Sequence, residues 1–459
     1  MKSYTERKDI LERADFIIDK SLRDIIPEDS INSVFEEINK AKKIKGSVGS
    51  LIEKFLYNKE PNNKSEPDFF EAGIELKTTP IKTNSNRGFT SKERLVFSMI
   101  DYNNIIKEKW ESSSFLKKNK VLLLLFYLWV KDINVLDYKF KYKYLLDLLE
   151  DISDEDILQI KKDWEFIVEK IKKGEAHLLS EADTFYLGAC TKGKDASVVR
   201  TQPFNDTKAK PRAFSFKQSY INYLLNTKIV NNKDFKSESI LVKTKNKTIN
   251  NAVYELFEKY IGKTDKEILN SIGVEVNSKS KSFKRNIVNA ILVSGDKKVL
   301  ELEKANITLK VITLEPNGSL RESISFPAFS YKDLIKEEWF NDDTGKMSDF
   351  HYQLETKKFL FVIFQKIRGS EDILLKKVMF WNFPNNDLEE VKKVWDKTKE
   401  LVIKGDYKSL PKISESSISH VRPHAKNKKD TFETPQGTQE IKRCFWLNAK
   451  YIQNAIREK

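Results

Sequence analysis

The spacing of apolar residues is helical near the start of the chain and changes to the alternation of a strand before Pro80. Apolar positions recur at helical spacing from Ile10 to about Ile44. "GSVGSLIEKFLYNK" continues this spacing with one apolar stripe, formed by Val48, Leu51, Ile52, Phe55 and Leu56. "AGIELKTTPI" then alternates with period two, which predicts Glu75 and Lys77 on one face of a strand. Glu53 is predicted beside the apolar stripe of the preceding helix.

The segments that follow show both strand and helix patterns. "RLVFSMI" has the pattern of a strand, "YNNIIKEKW" that of a helix, and a long helical pattern extends from Asp154 through Lys173 to Gly174. The longest apolar run, Val121 to Val130, is about half as long as a bilayer-spanning helix. It fits a strand that is buried on both faces. The pattern predicts an α/β fold of the mixed α+β kind.

The length of the chain predicts more than one domain. Its 459 residues exceed what one hydrophobic core usually serves. Asn231 to Asn251 is polar and rich in Lys, Asn and Ser, which predicts a linker near residues 226–245. We therefore expect one domain over residues 1–230 and a second over residues 245–459.

The two halves of the sequence resemble each other, which indicates a duplicated domain. A single shift of 231 residues (395 minus 164) aligns Trp164 with Trp395, Lys173 with Lys404, Gly174 with Gly405 and Arg212 with Arg443. At another offset, "IELK" in the first half aligns with "ITLK" in the second. The second copy keeps Lys310 opposite Lys77 but has Thr308 in place of Glu75. We therefore expect the second copy to be degenerate.

The charge of the chain favours a polyanionic partner. A net charge of +14 and a pI of about 9.2 suit nucleic acid, because each Lys or Arg placed against a phosphate releases counterions. No secretory or membrane-spanning segment is predicted, and two cysteines cannot build a disulfide framework, so a cytoplasmic location is expected. Zinc-ligand spacings and phosphate-binding loops are absent from the sequence. Any metal is expected to have oxygen ligands.

"PDFFEAGIELKTTP" brings together the residue types that phosphodiester hydrolysis requires. Roughly a dozen acid-x-base triplets are expected by chance in a chain of this composition, so the triplet alone is also consistent with a surface charge pair and a turn. Asp68 and Glu75, with the backbone carbonyl of Leu76, are suitable ligands for Mg²⁺. Lys77 is suited to orient the attacking water and stabilise its hydroxide form.

The order of three motifs favours a catalytic group over a surface charge pair. "GSVGSLIEKFL", "PDFFEAGIELKTTP" and "SKERLVF" follow one another as in the PD-(D/E)xK nucleases, and the chain resembles the MutH branch of that family. The resemblance implies that Asp68, Glu75 and Lys77 are catalytic and that Glu53 is an accessory acidic residue of the site. For Glu53, an exposed helix carboxylate is an equally good interpretation. The expected architecture is two tandem domains of the restriction-endonuclease type, the second degenerate.

The doubled length is similar to the two-domain type II restriction endonucleases of this family, which cut both DNA strands before the G of GATC. The resemblance implies Mg²⁺ as cofactor, 5′-phosphate ends, and double-stranded DNA containing GATC as substrate. Because the second copy has Thr308 in place of Glu75 but keeps the basic loop Arg422–Lys429, we expect it to bind a second DNA copy as an allosteric effector, in a monomer or a DNA-induced dimer. Two alternatives are a DNA-binding regulator that does not cleave and a MutH-like repair enzyme that nicks one strand.

Two segments are candidates for DNA contacts. In MutH-like enzymes the region that corresponds to Asp183–Tyr220 reads the bases, and the family resemblance makes Lys192 the best candidate. Weaker candidates in the same region are Lys194, Arg212, Ser215 and Lys217. Cys190 stands where the family can carry Arg, and each lone Lys is also consistent with a solvated surface charge. "SHVRPHAKNKKDTF" resembles the recognition loop, with candidate effector contacts at Arg422, His424 and Lys426.

Overall fold

The protein is described here from a computed structural model that covers residues 4–40, 47–62, 64–84, 88–192, 197–231, 237–245, 247–295, 297–341 and 346–457. The helices are α1 (Arg7–Ile17), α2 (Glu28–Lys40), α3 (Ser47–Leu51), α4 (Tyr102–Ile105), α5 (Ser114–Asn119), α6 (Asp154–Lys172), α7 (Gln218–Leu224), α8 (Ile240–Thr244), α9 (Ile249–Glu258), α10 (Asp265–Ile272), α11 (Phe283–Leu292), α12 (Leu300–Lys304), α13 (Tyr331–Leu334), α14 (Asp349–Thr356), α15 (Leu388–Lys404) and α16 (Ala449–Arg457). The strands are β1 (Ile74–Asn84), β2 (Gly88–Ser91), β3 (Leu95–Met99), β4 (Val121–Leu128), β5 (Phe140–Asp147), β6 (Leu187–Thr191), β7 (Arg200–Gln202), β8 (Asn205–Ala209), β9 (Arg212–Phe216), β10 (Ser237–Glu238), β11 (Lys298–Val299), β12 (Ile307–Leu314), β13 (Ile324–Ser325), β14 (Phe340–Asn341), β15 (Lys346–Met347), β16 (Lys358–Lys366), β17 (Ile373–Asn382), β18 (Ser419–Pro423), β19 (Thr431–Glu433), β20 (Gln439–Ile441) and β21 (Arg443–Leu447).

The described residues form two compact units. The first contains the chain up to Ile249 together with Leu300–Asn306, and the second contains Asn250–Val299, Ile307–Asn341 and the described part of residues 345–459. Among the described residues, no helix is both long and apolar enough to cross a bilayer. The mixture of helices and sheets agrees with the predicted α/β class.

A four-stranded sheet in the order β2-β1-β4-β5 forms the centre of the first unit. Strand β1 pairs in parallel with β4, starting at Ile74 opposite Val121, and β2 and β5 flank this pair in antiparallel orientation. All residues of β4 except its last are buried, which confirms the strand predicted for this apolar run. A central parallel pair requires both faces to be covered, and an uninterrupted apolar sequence satisfies that requirement.

The N-terminal helical pattern is broken into separate helices. The chain leaves α1 after Ile17, Ile18 makes an isolated bridge to Phe140, and α2 starts only after Pro27. Proline lacks an amide hydrogen and is tolerated at a helix start but not inside a helix, so a continuous helix from Ile10 to Ile44 was a wrong expectation. Residues 41–46 lie outside the described part. After α3, a π-helical turn at Ile52–Leu56 carries Glu53.

A second, three-stranded sheet in the order β3-β9-β6 completes the first unit beside helix α6. Helix α6 ends at Lys172, and Gly174 follows with a φ of +72°, as the sequence predicts. The buried carboxylate of Asp163 on α6 accepts hydrogen bonds from the backbone amides of Phe185, Tyr186 and Leu187, at 3.0, 2.6 and 3.0 Å. These bonds fix the start of β6, the strand that leads to Lys192.

The predicted linker at residues 226–245 is folded where the structure describes it. Leu225–Ile229 forms a π-helical turn, and Ile240 and Leu241 of helix α8 are buried. The carboxylate of Glu301 accepts the amide of Ile240 at 3.0 Å, so α12 supports α8 within the first unit. The polar composition of the segment predicted a linker, but its apolar residues Ile240 and Leu241 are buried and hold it in the fold.

The second unit has the same order of strands as the first. Its central sheet is β12-β16-β17, with β12 and β16 parallel from Ile307 opposite Lys358, and with β17 antiparallel to β16. Its other three-stranded sheet is β13-β21-β18, in which the last strand along the chain is central, as β9 is in the first unit. Phe361 and Trp381 belong to its buried core.

Candidate active site

Asp68 and Glu75 are tied to each other across the turn that precedes β1. The carboxylate oxygen Oε2 of Glu75 accepts the backbone amide of Asp68 at 3.0 Å. In return, Oδ2 of Asp68 accepts the backbone amide of Leu76 at 3.0 Å. These reciprocal bonds place both carboxylates at the start of β1, together with the backbone of Leu76.

Lys77 completes the group on the same face of the strand. Its Nζ donates to Oε1 of Glu75 at 2.6 Å, and only 18% of the Lys77 side chain and 3% of the Glu75 side chain are exposed. Two residues of a strand separated by one position share a face, so the alternation predicted from the sequence is confirmed. The Glu75–Lys77 pair is largely buried, so it is not the surface charge pair that was the alternative interpretation of the sequence.

A second lysine reaches the same carboxylate from helix α5. Nζ of Lys118 lies 3.8 Å from Oε1 of Glu75 and donates to the backbone carbonyl of Lys64 at 2.6 Å. The sequence interpretation missed this residue, because nothing in "LKKNK" distinguishes Lys118 from its neighbours. The available signal was its position directly before the buried strand β4, which is parallel to β1.

Glu53 lies within electrostatic reach of these residues. Burial, and next the negative charge of Asp68, raise the pKa of Glu53 from 4.5 to about 7. Its Oε2 is buried and has no hydrogen-bond partner among the described residues. Burial likewise raises the pKa of Glu75, and the charge of Lys77 opposes that rise. The exposed helix carboxylate, which was the alternative for Glu53, does not agree with this placement.

The donor set fits a divalent ion with hard oxygen ligands. Among the described residues, no group of three or more His, Cys, Asp or Glu side chains is arranged to hold a metal ion. Mg²⁺ usually keeps several waters and takes only one or two protein carboxylates, so a larger group is not required. Asp68, Glu75 and the carbonyl of Leu76 provide such a set, and the unpartnered oxygen of Glu53 adds negative charge nearby.

Of the candidate base contacts that the structure describes in the first unit, Lys192 alone is near the surface. It directly follows β6, is partly exposed, and its backbone amide donates to the carbonyl of Pro211 at 2.7 Å. Cys190, two residues earlier, is buried in β6. Lys194 lies outside the described residues.

Arg212, Ser215 and Lys217 lie inside the first unit and not on its surface. Arg212 is 4% exposed and donates to the carbonyl of Ala189 at 2.6 Å. Lys217 donates to the carbonyl of Thr184 at 2.6 Å, and burial lowers its pKa from 10.5 to about 8. Ser215 is fully buried at the centre of its sheet. Their aromatic and apolar neighbours in "RAFSFK" were the signal for β9, a buried strand.

The candidate contacts in the second unit are exposed. Arg422 and His424 lie at and just beyond the end of β18, and Lys426 follows in the loop. The guanidinium of Arg422 lies 3.8 Å from the ring centroid of Trp446, and the His424 ring is perpendicular to the same indole, with centroids 5.6 Å apart. The aromatic ring orders the two side chains while leaving their polar groups in solvent.

The mixed α/β unit, with Glu75 and Lys77 on β1 and Asp68 before the turn that precedes it, defines a nuclease of the PD-(D/E)xK class. Residues 57–163, which include these three and Lys118, match the family described as DNA mismatch repair enzyme MutH. The chain is 31% identical to the type II restriction enzyme Sau3AI of Staphylococcus aureus, over 100% of both chains.

Two mismatch repair proteins MutH are also similar. That of Shewanella woodyi is 29% identical over 40% of this chain and 77% of its own length, and that of Shewanella baltica is 26% identical over 48% and 93%. The chain belongs to the MutH-like type II restriction endonucleases, and it is a site-specific deoxyribonuclease. This membership removes the non-cleaving regulator as an alternative. Nucleases of the PD-(D/E)xK type generally use divalent metal ions.

Proposed function

We propose that this endonuclease cuts both strands of DNA before the G of GATC, uses Mg²⁺, and leaves 5′-phosphate ends. The observation that carries the proposal is the similarity to a type II restriction enzyme over the full length of both chains, combined with the Asp68, Glu75 and Lys77 group. The motifs around these residues resemble those of the two-domain enzymes that cut at GATC.

The proposed division of roles follows from charge and position. Mg²⁺ held by Asp68, Glu75 and the Leu76 carbonyl would neutralise phosphate charge and lower the pKa of a bound water. Lys77, at 2.6 Å from Glu75, orients the attacking water beside that carboxylate. Lys118 provides a second cation near the same oxygen of Glu75, Oε1, suited to the charge that develops on the phosphate. Glu53 contributes negative charge behind Asp68.

Sequence readout is proposed for Lys192. Its backbone is fixed to Pro211 while its side chain remains accessible, as a base-contacting residue requires. We assign Arg212 and Lys217 to supporting strands β9 and β6, because each is buried and donates to a backbone carbonyl, of Ala189 and Thr184 respectively.

A short-duplex assay tests the specificity and the strand chemistry. Purified enzyme is incubated with Mg²⁺ and duplexes that carry GATC or a permuted site, and each strand is labelled separately. The proposal predicts cuts in both strands at GATC and none in Ca²⁺ or EDTA. Cleavage of one strand only would favour a MutH-like nicking enzyme, and equal cleavage of the permuted duplex would contradict GATC specificity.

The second unit is proposed to bind an effector copy of the recognition sequence and to activate cleavage by the first. The shared order of strands supports a duplicated nuclease domain. Thr308 cannot replace Glu75 as an anionic metal ligand, yet Arg422, His424 and Lys426 remain exposed. Activation follows if the cleaving conformation binds the effector DNA more tightly than the resting one. The active assembly then holds two DNA copies, in a monomer or a DNA-induced dimer.

Plasmids with one and with two GATC sites separate the effector role from a purely structural one. We expect faster cleavage of the two-site plasmid, and loss of this advantage in Arg422→Ala/His424→Ala. Lys376→Ala, at an exposed position of β17, is the matched control for loss of a surface cation. Equal rates on both plasmids would contradict the effector role.

A further inference from the structure

The second unit places Lys310 where the first unit places Lys77. Each lysine is the fourth residue of the first strand of its central sheet, and each sheet starts its parallel pairing at the first residue of both strands. Lys77 therefore lies opposite Leu124, and Lys310 lies opposite Phe361. The comparison identifies the part of the second unit that corresponds to the candidate active site.

Thr308 takes the place of Glu75 here, and two further cations, Arg285 and Lys357, accompany Lys310. Arg285 of α11 donates to the backbone carbonyl of Leu309 at 2.8 Å, which places its guanidinium beside Lys310. Lys357, directly before β16, donates to the side-chain oxygen of Gln353 at 3.0 Å. Nζ of Lys310 donates a long hydrogen bond, 3.5 Å, to the carbonyl of Ser325. All three cations remain partly accessible to solvent.

These three positive charges act on one another without a compensating carboxylate. Burial lowers the pKa of Lys310, and the charge of Arg285 lowers it further. Burial also lowers the pKa of Lys357, and there the charge of Lys310 adds to the effect. In the described part of the chain, none of the three forms an ion pair with Asp or Glu. A partly buried cluster of like charge is unfavourable unless an anion binds it.

We propose that Arg285, Lys310 and Lys357 form a phosphate-binding site that holds a phosphodiester group of the effector DNA. A guanidinium and two ammonium groups present several hydrogen-bond donors and up to three positive charges. A phosphate group matches them, because its oxygens accept hydrogen bonds and carry negative charge. The cluster replaces the metal and carboxylates of a cleaving site with fixed cations, so a phosphate is bound there without being hydrolysed. The assignment to DNA rests on the proposed effector role, whereas binding of free phosphate does not.

Inorganic phosphate tests the site itself. The melting temperature of the full-length protein is measured with increasing phosphate, at constant ionic strength set with chloride. We expect a phosphate-dependent rise that is reduced in Lys310→Gln and in Thr308→Glu, which adds a carboxylate without removing a cation. Lys376→Gln, at an exposed position of β17, should keep the full rise. The same rise in all four proteins would overturn the site.

DNA binding tests the source of the phosphate. A Glu75→Ala background prevents cleavage, and the affinity for a second GATC duplex is measured against salt concentration. Loss of one phosphate contact should lower the slope of log K against log salt by about 0.9 in Lys310→Gln. Phosphate binding with an unchanged slope would mean that the site takes free phosphate and would overturn the DNA assignment. Failure of the parent to bind a second duplex would refute the effector role alone.

Discussion

Lys118→Ala is expected to slow cleavage strongly while leaving DNA binding largely intact. Nζ of Lys118 lies 3.8 Å from Oε1 of Glu75, and 15% of its side chain is exposed. Two unit charges at this distance interact by about 4 kcal/mol at an effective dielectric constant of about 20. If a phosphate that gains charge in the transition state lies at a comparable distance, each 1.4 kcal/mol lost costs about tenfold in rate. Allowing for screening by solvent, we expect a decrease of about 100-fold to 1,000-fold.

Single-turnover cleavage of a labelled GATC duplex with excess enzyme measures this effect without product release. Lys117→Ala is the matched control, because it removes an exposed lysine from the same helix. Far-ultraviolet circular dichroism and the dissociation constant for the duplex in Ca²⁺ show whether folding and binding are preserved. A cleavage rate within about threefold of the parent would refute the role of Lys118.

Four further outcomes are expected. Glu75→Ala and Lys77→Ala each abolish cleavage but retain specific binding in gel-shift assays, and normal cleavage by both would contradict the active site. Lys192→Ala weakens binding to GATC by about 1–3 kcal/mol more than binding to permuted duplexes, and a uniform loss would make it a phosphate contact. The pKa of Glu53 is about 7 in the folded protein and 4.5 ordinarily, so the folded state binds this proton more tightly than the unfolded state. The folding stability of the metal-free protein therefore falls as pH rises from 4.5 to 7. Glu53→Gln therefore stabilises it by up to about 3 kcal/mol at pH 8 and by little near pH 4 in urea unfolding. The pKa of Lys217, lowered to about 8 from 10.5, makes stability rise with pH in that interval. Lys217→Met abolishes this rise without weakening DNA binding, and a large loss of affinity would indicate a surface role.

The elements of the fold that could be predicted are those with uniform local patterns. The helix from Asp154 has a long sequence with a regular helical period. The run from Val121 has no period, and its uninterrupted apolar character and short length favour a strand buried on both faces. The N-terminal helix break follows from Pro27, a local signal that the spacing of apolar residues does not include. The helix Ile240–Thr244 depends on the distant Glu301, which no local pattern reveals. The boundaries of the two predicted domains stay a prediction, and Leu300–Asn306, expected in the second domain, lies with the first unit.

The candidate site could be predicted where its residues share one strand. Glu75 and Lys77 follow from alternation in β1, and Asp68 from the turn before it. Lys118 comes from the helix before a neighbouring strand, so only the parallel pairing of β1 and β4 brings it to Glu75. Arg212 and Lys217 were expected at DNA because of their charge, but long basic side chains can also be buried when backbone carbonyls accept their hydrogen bonds.

Mapping the ends produced from an unmethylated plasmid with Mg²⁺ tests the central claim most directly. Sequencing of both ends of every fragment would give the position of each cut on each strand. The proposed function predicts 5′-phosphate ends that start with GATC at every site, and no product from Glu75→Ala. Ends at other sequences, or intact plasmid under all metal conditions, would contradict it.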